Sequence, residues 1–141
     1  MKEKKDLVFV QFETDEFYQI VLDLVLLYFG IKPALKISNR EALKQYINDL
    51  QKSQRKPDFV VLDTFIGINN EDGKQIAEKL RQVSPSTKII GYSIMETNEW
   101  ADFEVIKSSR DQSKTLVRML ETALNEKFNY SDRVDPEFLH D

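Results

Sequence analysis

Cysteine is absent from all 141 residues. Disulfides, thiolate zinc sites and thiol nucleophiles are therefore excluded together, and with them the secreted disulfide-rich class. Histidine occurs once, as His140, in a polar tail where a lone imidazole is surface decoration rather than a ligand. No apolar run approaches the length of a membrane span, and the start Met1-Lys2-Glu3-Lys4-Lys5-Asp6 lacks the apolar centre of a signal peptide. A cytoplasmic location is expected, with no membrane partner. The formal net charge of −4 offers no general attraction to nucleic acid. No internal repeat, low-complexity stretch or clear linker interrupts the chain.

What remains is ordinary for a soluble globular protein: 41% hydrophobic and 31% charged residues. The length suits one domain with a real core. We expect that domain to occupy residues 1–125, with 126–141 as a polar tail carrying Phe128, Tyr130, Val134 and Phe138 among charges. The tail is a candidate to dock on the body or on a partner.

Strand-like and helix-like segments alternate. Leu7–Phe12 is an apolar run, after which Thr14 is placed to cap a helix with Asp15 and Glu16 in its first turn. Phe17, Ile20, Val21, Leu24, Leu27 and Tyr28 form the expected inward stripe, and Gly30 supplies a stop. A short strand at Ala34–Ile37 precedes Ser38-Asn39-Arg40-Glu41, a capping box for a helix carrying Leu43, Ile47 and Leu50. Phe59–Leu62 is a third strand, and Asp72-Gly73 opens a helix with Ile76, Ala77, Leu80 and Val83 inward. Lys88–Ile94 and Phe103–Ile106 are the fourth and fifth strands. Ser109-Arg110-Asp111-Gln112 starts a last helix that buries Leu116, Val117, Leu120, Ala123 and Leu124. Five alternations imply an α/β fold, a doubly wound parallel sheet covered on both faces. Only nine residues separate Ser93 from Phe103, fewer than the roughly 10–12 of a helical crossover. The fourth crossover is therefore expected to be short or irregular, with Trp100 folded onto the sheet edge.

Asp63 closes the Phe59–Leu62 run, a carboxylate at the end of a buried strand. In open parallel sheets ligands gather at that edge. An Asp there also serves plain turn chemistry, so its neighbours decide the reading. Glu13 follows the first strand, Ser93 lies in the fourth and Lys107 follows the fifth. With the strands ordered 2-1-3-4-5, Glu13 and Asp63 face one crevice. Their mutual repulsion calls for a cation, and Mg²⁺, content with one or two carboxylates and several waters, suits them. Lys107 adds a fixed positive charge and Ser93 a hydroxyl.

Taken together, Pro57-Asp58-Phe59-Val60-Val61-Leu62-Asp63, Asp72-Gly73, Ser84–Ser93 and Val105-Ile106-Lys107 resemble the receiver domain of bacterial two-component response regulators, of CheY-like (flavodoxin-like) fold. The resemblance spans roughly residues 5–125. It implies that Asp63 is a phosphoacceptor, taking phosphate from a histidine kinase, a phosphotransfer protein or a small phosphodonor. It implies that Glu13, Asp63 and the Phe65 carbonyl hold Mg²⁺, that Ser93 binds a phosphoryl oxygen, and that Lys107 pairs with the phosphoryl charge. Output would pass through a downstream protein partner, with no enzymatic activity beyond the domain's own phosphorylation and dephosphorylation.

The departures are specific. Where the family's first strand ends in two acids, this chain has Phe12 and Glu13. Gly67 stands where a Pro is common, the loop through Ile68–Glu71 is longer, and Ser108 replaces the Pro after the Lys. Glu104 occupies the switch-aromatic position beside Phe103. Two readings follow: a stand-alone phosphorylatable receiver, or a pseudo-receiver that binds partners without phosphorylation. A flavodoxin-like cofactor binder is weaker, because Phe12-Glu13-Thr14-Asp15-Glu16 is acidic and lacks the glycine of a phosphate cradle.

Overall fold

The computed structural model describes residues 3–63, 70–94, 97, 99–107 and 112–125. Five short runs of branched and aromatic residues become strands: β1 (Phe9–Phe12), β2 (Leu35–Ile37), β3 (Phe59–Leu62), β4 (Lys88–Ser93) and β5 (Phe103–Ile106). They pair in parallel in the order β2-β1-β3-β4-β5. Four helices connect or follow them: α1 (Glu16–Tyr28), α2 (Arg40–Lys52), α3 (Asn70–Val83) and α4 (Gln112–Leu124). The doubly wound architecture expected from the alternation is the one observed.

The central strands are buried on both sides, as parallel sheets between helices are. Alternate side chains therefore feed two cores. Phe9, Val61, Ile90, Tyr92 and Val105 pack under α1 and α4. Val10, Phe12, Val60, Leu62 and Ile89 pack under α2 and α3. Phe12, in the place of the family's missing acid, is thus a core residue.

Local signals shifted by a residue or so. The cap of α1 is Asp15, not Thr14: its Oδ1 accepts from Phe17 N at 2.9 Å. The cap of α2 is Asn39, accepting from Ala42 N at 2.8 Å, while Ser38 Oγ accepts from Gln19 Nε2. Gly30 adopts φ 75° and ends α1 as expected, with Ile31 N donating to Leu26 O. The proposed cap at Ser109–Asp111 and the tail from residue 126 lie outside the described residues.

The inward face of α1 is a larger correction. Val21, Leu22, Val25 and Leu26 are buried with Gln19, whereas Phe17, Ile20, Leu24 and Leu27 are exposed. Two apolar stripes run along this helix. Periodicity cannot choose between them, and the closer fit of the first to the sheet decides.

The fourth crossover is short, as its length required. Its described residues make a turn in which Trp100 N and Ala101 N both donate to Thr97 O. Trp100 is buried in the α2/α3 core, and its carbonyl accepts from Arg81 Nη2 at 2.6 Å.

Candidate functional site

The register of the sheet brings Glu13, Asp63 and Lys107 to one edge. Asp63 N donates to Phe12 O, Glu13 N to Ile37 O, and Lys107 N to Ser93 O. Each residue thus continues its strand by one hydrogen bond beyond the regular ladder. Glu13, Asp63 and Lys107 all alternate toward the α1/α4 face, two positions past Gln11, Val61 and Val105.

Their side chains meet. Lys107 Nζ lies 2.6 Å from Glu13 Oε1 and 3.1 Å from Asp63 Oδ2. All three are buried, with Lys107 the most exposed at 5%. Such a cluster is costly to desolvate, and here it is also unbalanced, with two carboxylates for one ammonium. Burial, the largest cause, and the charge of Asp63 raise the Glu13 carboxyl to about 7 against the opposing pull of Lys107. The remaining Glu13 oxygen, Oε2, accepts from Asp15 N at 3.1 Å.

Ser93 is fully buried at the end of β4, bonded through its carbonyl to Lys107 N. Phe65 lies outside the described residues. Of the expected site, then, Glu13, Asp63 and Lys107 converge by side chain and Ser93 adjoins them by backbone.

Several supporting residues were not singled out from the sequence. Lys107 Nζ sits 4.3 Å from the ring centroid of Tyr18 and 5.3 Å from that of Tyr92, and the two rings meet edge-to-face at 5.5 Å. Aromatic faces of this kind attract a desolvated ammonium. Gln19 donates to the Glu13 carbonyl at 2.7 Å and to Ser38 Oγ at 3.3 Å, tying the β1 and β2 ends together. Tyr18 and Gln19 sit five and six residues after Glu13. Only the turn into α1 shows that they return to the site. Glu104 is bonded within the fold. Its Oε2 accepts from Thr97 N and, at 3.2 Å, from Thr97 Oγ1, so this carboxylate pins the fourth crossover.

The donor set admits a divalent cation in a restricted way. Among the described residues no group of three or more acids or histidines could hold a metal, so protein ligation there rests on two carboxylates. Burial, and to a lesser degree the charge of Asp63, raises the Glu13 carboxyl, and a hard cation beside the two carboxylates would offset both. Two carboxylates plus water fit Mg²⁺ in that manner.

Solved structures of the same shape are numerous. A response regulator from Thermotoga maritima superposes with a TM-score of 0.62 at 17% identity, over 84% of this chain and 96% of its own. A signal receiver domain from Clostridium thermocellum gives a TM-score of 0.70 at 11% identity, over 84% and 98%. The fold is that of a CheY-like response regulator receiver domain. A third receiver-fold neighbour is a response regulator from Burkholderia pseudomallei, solved with a phosphorylated aspartic acid, a calcium ion and citrate. It has a TM-score of 0.60 at 16% identity, over 85% and 69%. No protein-family model matches the sequence, and no curated protein does. The receiver fold is thus carried here by a highly divergent sequence.

Proposed function

We propose that this chain is a receiver-type signalling protein whose Asp63 accepts a phosphoryl group from a histidine kinase or phosphotransfer protein. The observation that carries this reading is the Lys107 ammonium held between Glu13 and Asp63 at the carboxyl edge of the sheet. An Asp63 carboxylate oxygen would attack the phosphorus of a phosphohistidine. The P–N bond would break, the imidazole would leave, and an acyl phosphate would form. Lys107, already 3.1 Å from Asp63 Oδ2, would neutralise the phosphoryl oxygens, with Ser93 contributing a hydroxyl. Phosphoryl transfer asks mainly for this positioning and charge compensation. Glu13 and Asp63, with the Phe65 carbonyl, would hold Mg²⁺, which when bound adds positive charge against the transferring group. The protein would act in the cytoplasm through a downstream protein partner rather than as an enzyme on other substrates.

A pseudo-receiver that signals by contact alone is the second reading. Phe12 in the core and Glu104 locked to Thr97 favour it, since one acid and the switch aromatic have been given to structure. Beryllofluoride with Mg²⁺ separates the two. Amide NMR shifts spreading from Asp63 toward Ser93 and Lys107, absent in Asp63→Asn, are expected for the phosphoacceptor. No response at millimolar Mg²⁺ leaves the pseudo-receiver.

A further inference from the structure

The Lys107 ammonium is surrounded by groups from four parts of the fold. Glu13 and Asp63, which follow β1 and β3, reach it at 2.6 and 3.1 Å. Tyr18 of α1 and Tyr92 of β4 turn their rings to it, with centroids 4.3 and 5.3 Å away. Both rings lie within the roughly 6 Å over which an aromatic face attracts a cation.

The two carboxylates alone would not keep the ammonium where a phosphoryl group on Asp63 needs it. Lysine is a point charge on a flexible stem, and its shorter contact here is to Glu13. With nothing else to hold it, the ammonium would settle on Glu13. A third carboxylate could draw it away, but would add another buried negative charge where two already share one cation. An aromatic face attracts the ammonium without adding charge.

The rings are themselves held in place. They meet edge-to-face at 5.5 Å and 87°, Tyr92 is fully buried, and Phe17 packs edge-on against Tyr18 at 5.2 Å. The Tyr18 carbonyl accepts from Gln11 Nε2 at 3.4 Å, which ties this turn of α1 to β1. We propose that Tyr18, backed by Tyr92, is a positioning residue whose ring face seats the Lys107 ammonium between Glu13 and Asp63. Its consequence for function rests on the phosphoacceptor reading: Lys107 would stand ready for the phosphoryl group instead of being spent on Glu13. The seat itself does not depend on that reading.

The test compares, in the full chain, Tyr18→Phe, which keeps the ring face, with Tyr18→Leu, which removes it. Leu suits a helix at least as well as Tyr, and Tyr18→Met repeats the removal with a side chain that adapts to the space left. Two quantities are read. One is the NMR shift of the Lys107 ε-methylene protons, which a ring face moves upfield; the other is the affinity for beryllofluoride with Mg²⁺. Wild type and Tyr18→Phe should share both. Tyr18→Leu and Tyr18→Met should lose most of the upfield shift and bind beryllofluoride at least about fivefold more weakly, as the loss of a desolvated cation–ring contact implies.

An upfield shift that survives in Tyr18→Leu overturns the seat. A loss in Tyr18→Phe equal to that in Tyr18→Leu overturns it as well, because the hydroxyl and not the face would then hold Lys107. If the shift is lost in Tyr18→Leu while beryllofluoride binds as in wild type, Tyr18 does not position Lys107 for the phosphoryl group and the proposal fails. A wild type that ignores beryllofluoride, yet whose Lys107 shift follows the Tyr18 ring, upholds the seat and removes the phosphoacceptor reading.

Discussion

Gly91 of β4 has no side chain because Thr97 occupies its place. A Cβ at Gly91 would overlap both Oγ1 and Cβ of Thr97, which is itself fully buried. The short crossover thus lies directly on the strand, and the glycine serves close approach rather than an unusual backbone angle.

Gly91→Ala should destabilise the fold by about 1–3 kcal/mol, the usual cost of overpacking a tight site. Urea unfolding of the variant measures it. Adding Thr97→Gly should recover part of the loss, although Thr97→Gly alone is destabilising. A double mutant no better than the sum of the two would show that the overlap is relieved elsewhere.

Glu104 holds the other side of the same residue. Glu104→Leu would leave the buried Thr97 N–H without its acceptor, at a cost of about 1–3 kcal/mol. Glu104→Gln keeps a carbonyl oxygen in reach and should lose less. Amide exchange at Thr97 is the sharper readout: faster by at least tenfold in the Leu variant, and near wild type in the Gln variant.

The strands and their order were legible because buried parallel strands announce themselves as short apolar runs between breakers. Asp63, Glu13 and Lys107 were legible because each ends such a run. The outward face of α1 was not. Phe17–Leu27 and Val21–Leu26 are equally good apolar stripes, and only contact with the sheet distinguishes them. Nor did Glu104 reveal its partner. Its pairing with Thr97 depends on a crossover too short to be a regular helix, whose path no propensity dictates. The Tyr18 and Tyr92 rings around Lys107 come from different elements and meet only through the tertiary fold.

Removing the shared cation should be the most damaging change at the site. Lys107→Met would leave Glu13 and Asp63 buried together without compensation, at about 3–5 kcal/mol. Thermal or urea unfolding at pH 7 measures the loss. Adding Glu13→Gln should restore much of it by removing one of the two charges. If the double variant stays as unstable as Lys107→Met, packing of the lysine stem rather than its charge is responsible.

Glu13 gives the fold a pH dependence whose sign is fixed. Burial, the largest cause, and the Asp63 charge raise its carboxyl from 4.5 to about 7 in the folded chain, with Lys107 opposing. Between those values the folded state binds more protons at Glu13 than the unfolded state does. The stability that this site contributes is therefore fully present below about pH 4.5 and is lost as pH rises through about 7. The Glu13 contribution is isolated by difference. Urea unfolding from pH 5 to 8 should show wild type losing stability relative to Glu13→Gln as pH rises. Carbon-13 NMR of the Glu13 carboxyl should place its midpoint near neutrality. Parallel stability profiles, with a Glu13 midpoint near 4.5, would mean that Lys107 and water compensate the carboxylate fully.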